Sequence, residues 1–176
     1  MNLSNIIRTV DDFPKKGIQF KDISSILENP EAFKYTVDNM IDYCKSIGAT
    51  HIVSPDARGF IWGAPIALSL GVPFHMARKS GKLPGKVKSC SYTLEYGNET
   101  IDILDSIKFK KDDKICIVDD VSATGGTAAA IINLIEQAGG IDIRYACVID
   151  LSFLEGSNKL KDNYEISTYS ILEIHE

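Results

Sequence analysis

The chain has 176 residues and a mass of 19.4 kDa, the size of one ordinary domain. Hydrophobic residues make up 44% and charged residues 24%, a globular composition rather than a disordered one. Against 24 Asp and Glu stand 19 Lys and Arg, a formal charge of −5, which argues against nucleic-acid binding as the main activity because phosphate backbones need a basic footprint. No apolar run approaches the roughly 18 residues that a membrane helix needs, so no membrane partner is expected. The amino terminus, MNLSNIIRTVDDFPKK, turns acidic without the apolar core of a secretory signal. Cys44, Cys90, Cys116 and Cys147 form no C-x-x-C pair, and His51, His75 and His175 add no metal-ligand spacing. Neither a zinc site nor a disulfide framework is expected, and a reducing cytoplasm is the default.

In chain order, the first clear element is a helix from Pro30 to Ile47. Asn29 is placed to cap it, Pro30 suits its first turn and Gly48 ends it. Phe33, Val37, Met40, Ile41, Cys44 and Ile47 share one face at helical spacing. Residues 49–54 read as a short strand with a turn at Ser54-Pro55-Asp56, followed by a helix from Phe60 to Leu70 that Gly71 stops. Residues 72–77 read as another strand, with Pro73 near its start. KSGKLPGKVKSC, residues 79–90, has lysines, glycines and a proline with little apolar content, the composition of a mobile basic loop. Alternation at Tyr92, Leu94 and Tyr96, with Gly97-Asn98 as a turn, predicts a hairpin into residues 100–104. Lys114–Val118 is a continuous apolar strand. It leads through two aspartates and a glycine turn into a helix with Ile131, Leu134, Ile135 and Ala138 on one side. Gly139-Gly140 closes that helix and residues 141–150 form the next strand. Alternating strands and helices predict a parallel sheet with helices on both faces, and such sheets bind ligands at the carboxyl ends of their strands.

Residues 115–127, ICIVDDVSATGGT, are the most informative stretch: a buried strand ending in two carboxylates, a tight turn, then a helix amino terminus. Gly125 and Gly126 let the backbone approach a ligand closely, and several N–H groups converge there. The helix start adds roughly half a positive charge. Thr124 and Thr127 add hydroxyl donors beside Ala123, and the whole suits a phosphate monoester. No Gly-Lys-Ser/Thr follows and G-x-G-x-x-G is absent, so neither a nucleoside-triphosphate loop nor a dinucleotide fingerprint is present. Asp119 and Asp120 would repel a polyphosphate but can accept hydrogen bonds from two neighbouring sugar hydroxyls. A phosphate on one side and a diol on the other describe a ribose 5-phosphate group. The competing structural reading is a solvated strand end followed by an ordinary glycine turn.

IVDDVSATGGT resembles the phosphoribosyl-pyrophosphate (PRPP) motif of the type I phosphoribosyltransferases. DFPKKGIQFKDIS (12–24), ARGFIWG (57–63), ARKSGKLPGK (77–86) and SYTLEYG (91–97) are similar, in the same order, to the adenine-specific branch of that family, over about residues 9–160. The resemblance implies one phosphoribosyltransferase domain over residues 1–176, with a central, mostly parallel sheet flanked by helices. It further implies a small amino-terminal hood over about residues 1–30 and a flexible β-hairpin lid over about residues 79–103.

Further site residues come from the same likeness, each beside a plainer structural alternative. Arg58, next to Gly59 at a helix start, can bind an anion through side chain and N–H groups; the resemblance makes this the pyrophosphate loop, with a cis peptide near Asp56-Ala57, whereas the alternative is a surface arginine. Arg78, Lys79 and Lys82 belong either to a solvated basic face or to a lid over a charged leaving group. Glu95 is either a solvent-facing carboxylate or, by resemblance, the group that accepts the proton leaving N9 of the purine. Phe20 is either core or the platform on which the purine stacks, with the main chain of Gln19 and Lys21 reading the base edge and Leu154 closing the other face. The family more often has Arg where Lys21 stands, which is harmless if main-chain atoms do the reading. The turn has Val121-Ser122 where Leu-Leu is usual.

The implied activity is transfer of the phosphoribosyl group from PRPP to adenine, giving AMP and pyrophosphate, a purine-salvage reaction. Magnesium is implied as a cofactor bound mainly through PRPP and water, and no protein residue is assigned to it. A homodimer is implied as well. A regulatory protein on the same fold would want a DNA-binding domain and a basic face. A transferase for another base is disfavoured by LEYG and the Phe20 hood, and a kinase by the missing loop lysine.

Overall fold

A computed structural model describes residues 1–13, 15–94 and 97–175, with side chains for all of these except residues 93, 94, 97 and 98. Asn29 Oδ1 accepts from the N–H groups of Glu31 and Ala32 at 3.1 Å each, satisfying two donors that no helical carbonyl can reach. This starts α2 (Pro30–Ser46), which follows the short α1 (Ser24–Leu27). Ile47 is the C-cap and Gly48 adopts a φ of 66°, so the predicted stop stands. The remaining helices are α3 (Gly59–Leu70), α4 (Gly126–Gln137) and α5 (Gly156–Tyr164).

Two strands, β1 (Arg8–Asp11) and β2 (Gln19–Asp22), pair antiparallel as a small separate sheet. The central sheet holds β3 (His51–Pro55), β4 (Phe74–Lys79), β5 (Val87–Leu94), β6 (Gly97–Leu104), β7 (Lys114–Ser122), β8 (Asp142–Leu151) and β9 (Ser167–Ile174). Their spatial order is β5-β6-β4-β3-β7-β8-β9. Strands β4, β3, β7, β8 and β9 run parallel, and the β5–β6 hairpin joins the β4 edge antiparallel. The predicted, mostly parallel α/β architecture is therefore present.

Each face of this sheet has its own core. On one, Met40 from α2 and Trp62 and Ile66 from α3 pack with Ile26 and Leu3 against Ile52, Cys116 and Val148. The Trp62 indole is satisfied in the interior by donating to Thr36 Oγ1 at 2.9 Å. On the other, Ile131, Leu134 and Ile135 of α4 pack with Leu160 of α5 against Ile117, Ile101 and Ile103. Each such burial contributes roughly 1.5–3 kcal/mol before chain entropy is set against it, so α4 is clamped where its amino terminus meets β7. Among the described residues no helix is long and apolar enough to cross a membrane.

The basic segment differs from its expected outline. Residues 79–90 are not one loop: Lys79 ends β4, and β5 begins at Val87. Cys90 and Tyr92 pack against the core while Lys88, on the same face, places its ammonium on Asp105. A lysine at an inward position hid the alternation. Gly97 and Asn98 pair with Leu94 and Thr93 inside the hairpin strands instead of forming its turn. Register there follows Ile101 and Ile103, which must face the core.

Candidate active site

Strand β7 carries the chain to Ser122, and α4 starts at Gly126. Gly125, the N-cap, adopts a φ of 82°, and a Cβ there would lie 2.9 Å from the carbonyl oxygen of Gly156. Conversely, a Cβ on Gly156 would lie 2.2 Å from the carbonyl oxygen of Ala123. The start of α5 is thus a floor pressed against the turn, and only glycine fits on either side. Above this floor is a cavity of about 240 Å³ whose lining includes Asp119, Asp120 and residues 123–127 together with Arg58. The first-turn N–H groups of α4 have no carbonyl within the helix to meet, and they lend the cavity positive potential.

Asp120 is buried and Asp119 half-buried at the cavity edge. Asp119 opens on the cavity yet is enclosed by protein elsewhere. Its burial, then the neighbouring Asp120 carboxylate, pushes its carboxyl well above the ordinary range. Its Oδ1 also accepts from the Asp120 N–H at 2.8 Å. Arg58 Nε lies 2.8 Å from Asp120 Oδ2, but the N–H is not aimed along that line, and Oδ2 receives no hydrogen bond from the described residues. Two residues expected to meet the donor are therefore paired by charge with each other, and the carboxylate keeps its capacity to accept. The Asp56–Ala57 peptide is cis, at the position expected for it. Tyr145, buried on β8, also lines the cavity; nothing in its alternating strand marked it as a site residue.

A second cavity, of about 390 Å³, lies between β2 and the segment after β8. Gln19, Phe20, Lys21 and Leu154 line it, as expected from the sequence, together with Val121 and Phe153, which were not anticipated. Arg58 and Val121 border both cavities, so the two adjoin. The Phe20 ring is held edge-on by Phe13, with centroids 5.0 Å apart, and Arg58 Cζ lies 6.0 Å from its centroid. The Lys21 ammonium is engaged by Thr9 Oγ1 at 3.1 Å.

The basic residues lie to the side. Arg78 donates through Nε to Asp56 Oδ2 at 2.9 Å and through Nη1 to the Lys82 carbonyl at 3.1 Å. Lys79 pairs with Glu99 at 3.1 Å, and Lys82 is exposed. None of the three lines either cavity. Glu95, the expected proton acceptor, lies outside the described residues.

The description "phosphoribosyl transferase domain" fits residues 22–174. A curated adenine phosphoribosyltransferase of Clostridium kluyveri is 48% identical over 162 residues, covering 92% of this chain and 93% of that protein. The crystal structure of adenine phosphoribosyltransferase from Thermoanaerobacter pseudethanolicus superposes with a TM-score of 0.89 at 39% identity, covering 98% of each chain. The Giardia lamblia enzyme, complexed with 9-deazaadenine, superposes with a TM-score of 0.91 at 36% identity, covering 100% of this chain and 99% of that one. An anion cup beneath paired acids, joined to an aromatic-edged slot, accompanies this likeness along the whole chain, which belongs to the type I phosphoribosyltransferases and, within them, to the adenine phosphoribosyltransferase family.

Proposed function

We propose that the protein transfers the phosphoribosyl group of PRPP to N9 of adenine, with inversion at the anomeric carbon, giving AMP and pyrophosphate in purine salvage. The observation that carries this reading is the junction at Arg58 and Val121, where a cup lined by the glycine turn and two acids adjoins an apolar slot edged by Phe20. The Giardia relative's complex with a purine analogue supports adenine as the occupant of that slot. Ala123, Thr124, Gly125, Gly126 and Thr127 hold the 5′-phosphate through main-chain N–H and hydroxyl groups. Asp119 and Asp120 accept from the ribose hydroxyls and favour the positive charge that develops on the sugar as its bond to pyrophosphate breaks.

Phe20 and Leu154 sandwich the base, and the main chain of Gln19 and Lys21 reads its edge. In this reading residues 1–30 act as the hood, and residues 79–103 form the lid that excludes water over the leaving group. Arg58, Arg78, Lys79 and Lys82 neutralise the departing pyrophosphate, and Glu95 takes the proton from N9. Magnesium fits as part of the donor. Asp119 and Asp120 both line the cup, and this pair of carboxylates suits contact with the metal's water shell. The ion supplies charge neutralisation at the diphosphate. A homodimer in the cytoplasm completes the proposal on family likeness.

The decisive experiment is incubation with PRPP, magnesium and adenine, hypoxanthine, guanine or xanthine in turn. AMP should form from adenine with little product from the others. A faster reaction with another base would overturn the assignment.

A further inference from the structure

A row of four polar side chains runs from the basic segment to the anion cup. Lys79 Nζ donates to Glu99 Oε1 at 3.1 Å. The other carboxylate oxygen of Glu99 accepts from the Tyr92 hydroxyl at 3.3 Å, and that hydroxyl accepts from Thr127 Oγ1 at 3.3 Å. Each hydroxyl has one proton, and all of them run toward Glu99. Tyr92 and Glu99 are directly opposite in the β5–β6 register, and Lys79 lies on the neighbouring strand β4, paired with Ile101. Tyr92 therefore pins the carboxylate by one oxygen, and the other is presented to Lys79 from that place.

We propose that Glu99 is a positioning residue that competes with the pyrophosphate group for Lys79. The inference rests on the reading above, in which Lys79 meets the leaving group. The pair is exposed, with 61% and 36% of the two side chains accessible, and ion pairs in water are weak and easily exchanged. A diphosphate carries more charge than one carboxylate and draws the ammonium away when the donor binds. Once the sugar has been transferred, the pinned carboxylate recaptures Lys79, so pyrophosphate faces a competitor as it leaves. The tie weakens donor binding slightly and speeds product departure, a step that limits turnover in many enzymes.

The test is titration calorimetry of wild type, Glu99→Gln, Lys79→Met and the double variant with pyrophosphate plus magnesium, and separately with ribose 5-phosphate. In Glu99→Gln the amide oxygen still accepts from Tyr92 while the charge is gone. Pyrophosphate should bind about three- to fivefold more tightly, ribose 5-phosphate should be unchanged within about twofold, and the gain should vanish when Lys79→Met is added. A purely structural role for Glu99 would instead weaken both ligands. Unchanged or weaker pyrophosphate binding by Glu99→Gln, with wild type binding both ligands, would overturn the competition and leave the site reading intact. A gain that persists in the double variant would also overturn it, pointing to the general field rather than to Lys79. Failure of wild type to bind either ligand would bring down the site reading and this inference together.

Discussion

At the amino ends of β3, β4 and β7, polar groups close on one another. His51 Nδ1 and His75 Nε2 are 3.0 Å apart, His51 Nε2 is 3.3 Å from Asp113 Oδ2, and Phe109 sits edge-on to both imidazoles. The Thr50 N–H donates to the Lys114 carbonyl and Thr50 Oγ1 accepts from the Lys114 N–H. At the carboxyl ends of the same sheet the buried atoms Ser54 Oγ, Asp120 Oδ2 and Asp150 Oδ1 have no hydrogen-bond partner among the described residues. Buried polar groups ordinarily find partners. A sheet that satisfies its polar groups at one end and leaves buried ones unpaired at the other separates the end that stabilises from the end that borders both cavities.

The contrast is broken most severely at the carboxyl end. Gly156→Val puts a side chain against the Ala123 carbonyl, and a turn displaced by about an ångström should lower kcat/KM by about 10² or more. Steady-state kinetics beside a far-UV dichroism spectrum checks this, and wild-type kinetics would mean the cup does not depend on its floor. Phe20→Ala should raise KM for adenine about tenfold and leave KM for PRPP within about twofold; equal losses for both substrates would deny that the slot is separate from the cup. Lys21→Ala should change either constant by no more than about twofold, since its ammonium is engaged with Thr9.

The amino end should touch stability and not turnover. Burial, then the neighbouring His51, lowers the His75 pKa to about 4 from its ordinary 6.5. Between those values the unfolded chain binds a proton that the folded one does not. The contribution is therefore complete above pH 6.5 and is lost as pH falls toward about 4. NMR titration of the His75 ring should give a midpoint near the lower value, and a normal midpoint would refute the closed network.

Local chemistry made much of this legible. Asn29, Pro30 and Gly48 delimit α2 because capping and positive φ are short-range demands, and residues 115–127 carry strand, acids, turn and helix start in one unbroken string. What escaped the sequence depends on distant partners. Nothing near Gly156 says that Ala123 lies on it, and the two histidines are 24 positions apart and meet only because β3 and β4 pair. Strand β5 was obscured by lysines, since Lys88 faces inward only with Asp105 waiting for its ammonium. Val121 and Phe153 look like ordinary apolar residues until the segment after β8 meets β2 across the second cavity.

Arg58 and Val121 each face two compartments, whereas Phe153 and Leu154 face only the slot. With the base in the slot and the sugar donor in the cup, as proposed, redesign for an altered nucleobase would meet a party wall: changes at the shared pair would be felt by the sugar donor as well. The outer wall, contributed by the stretch that follows β8, is where preference can be retuned while the sugar's lodging is left alone.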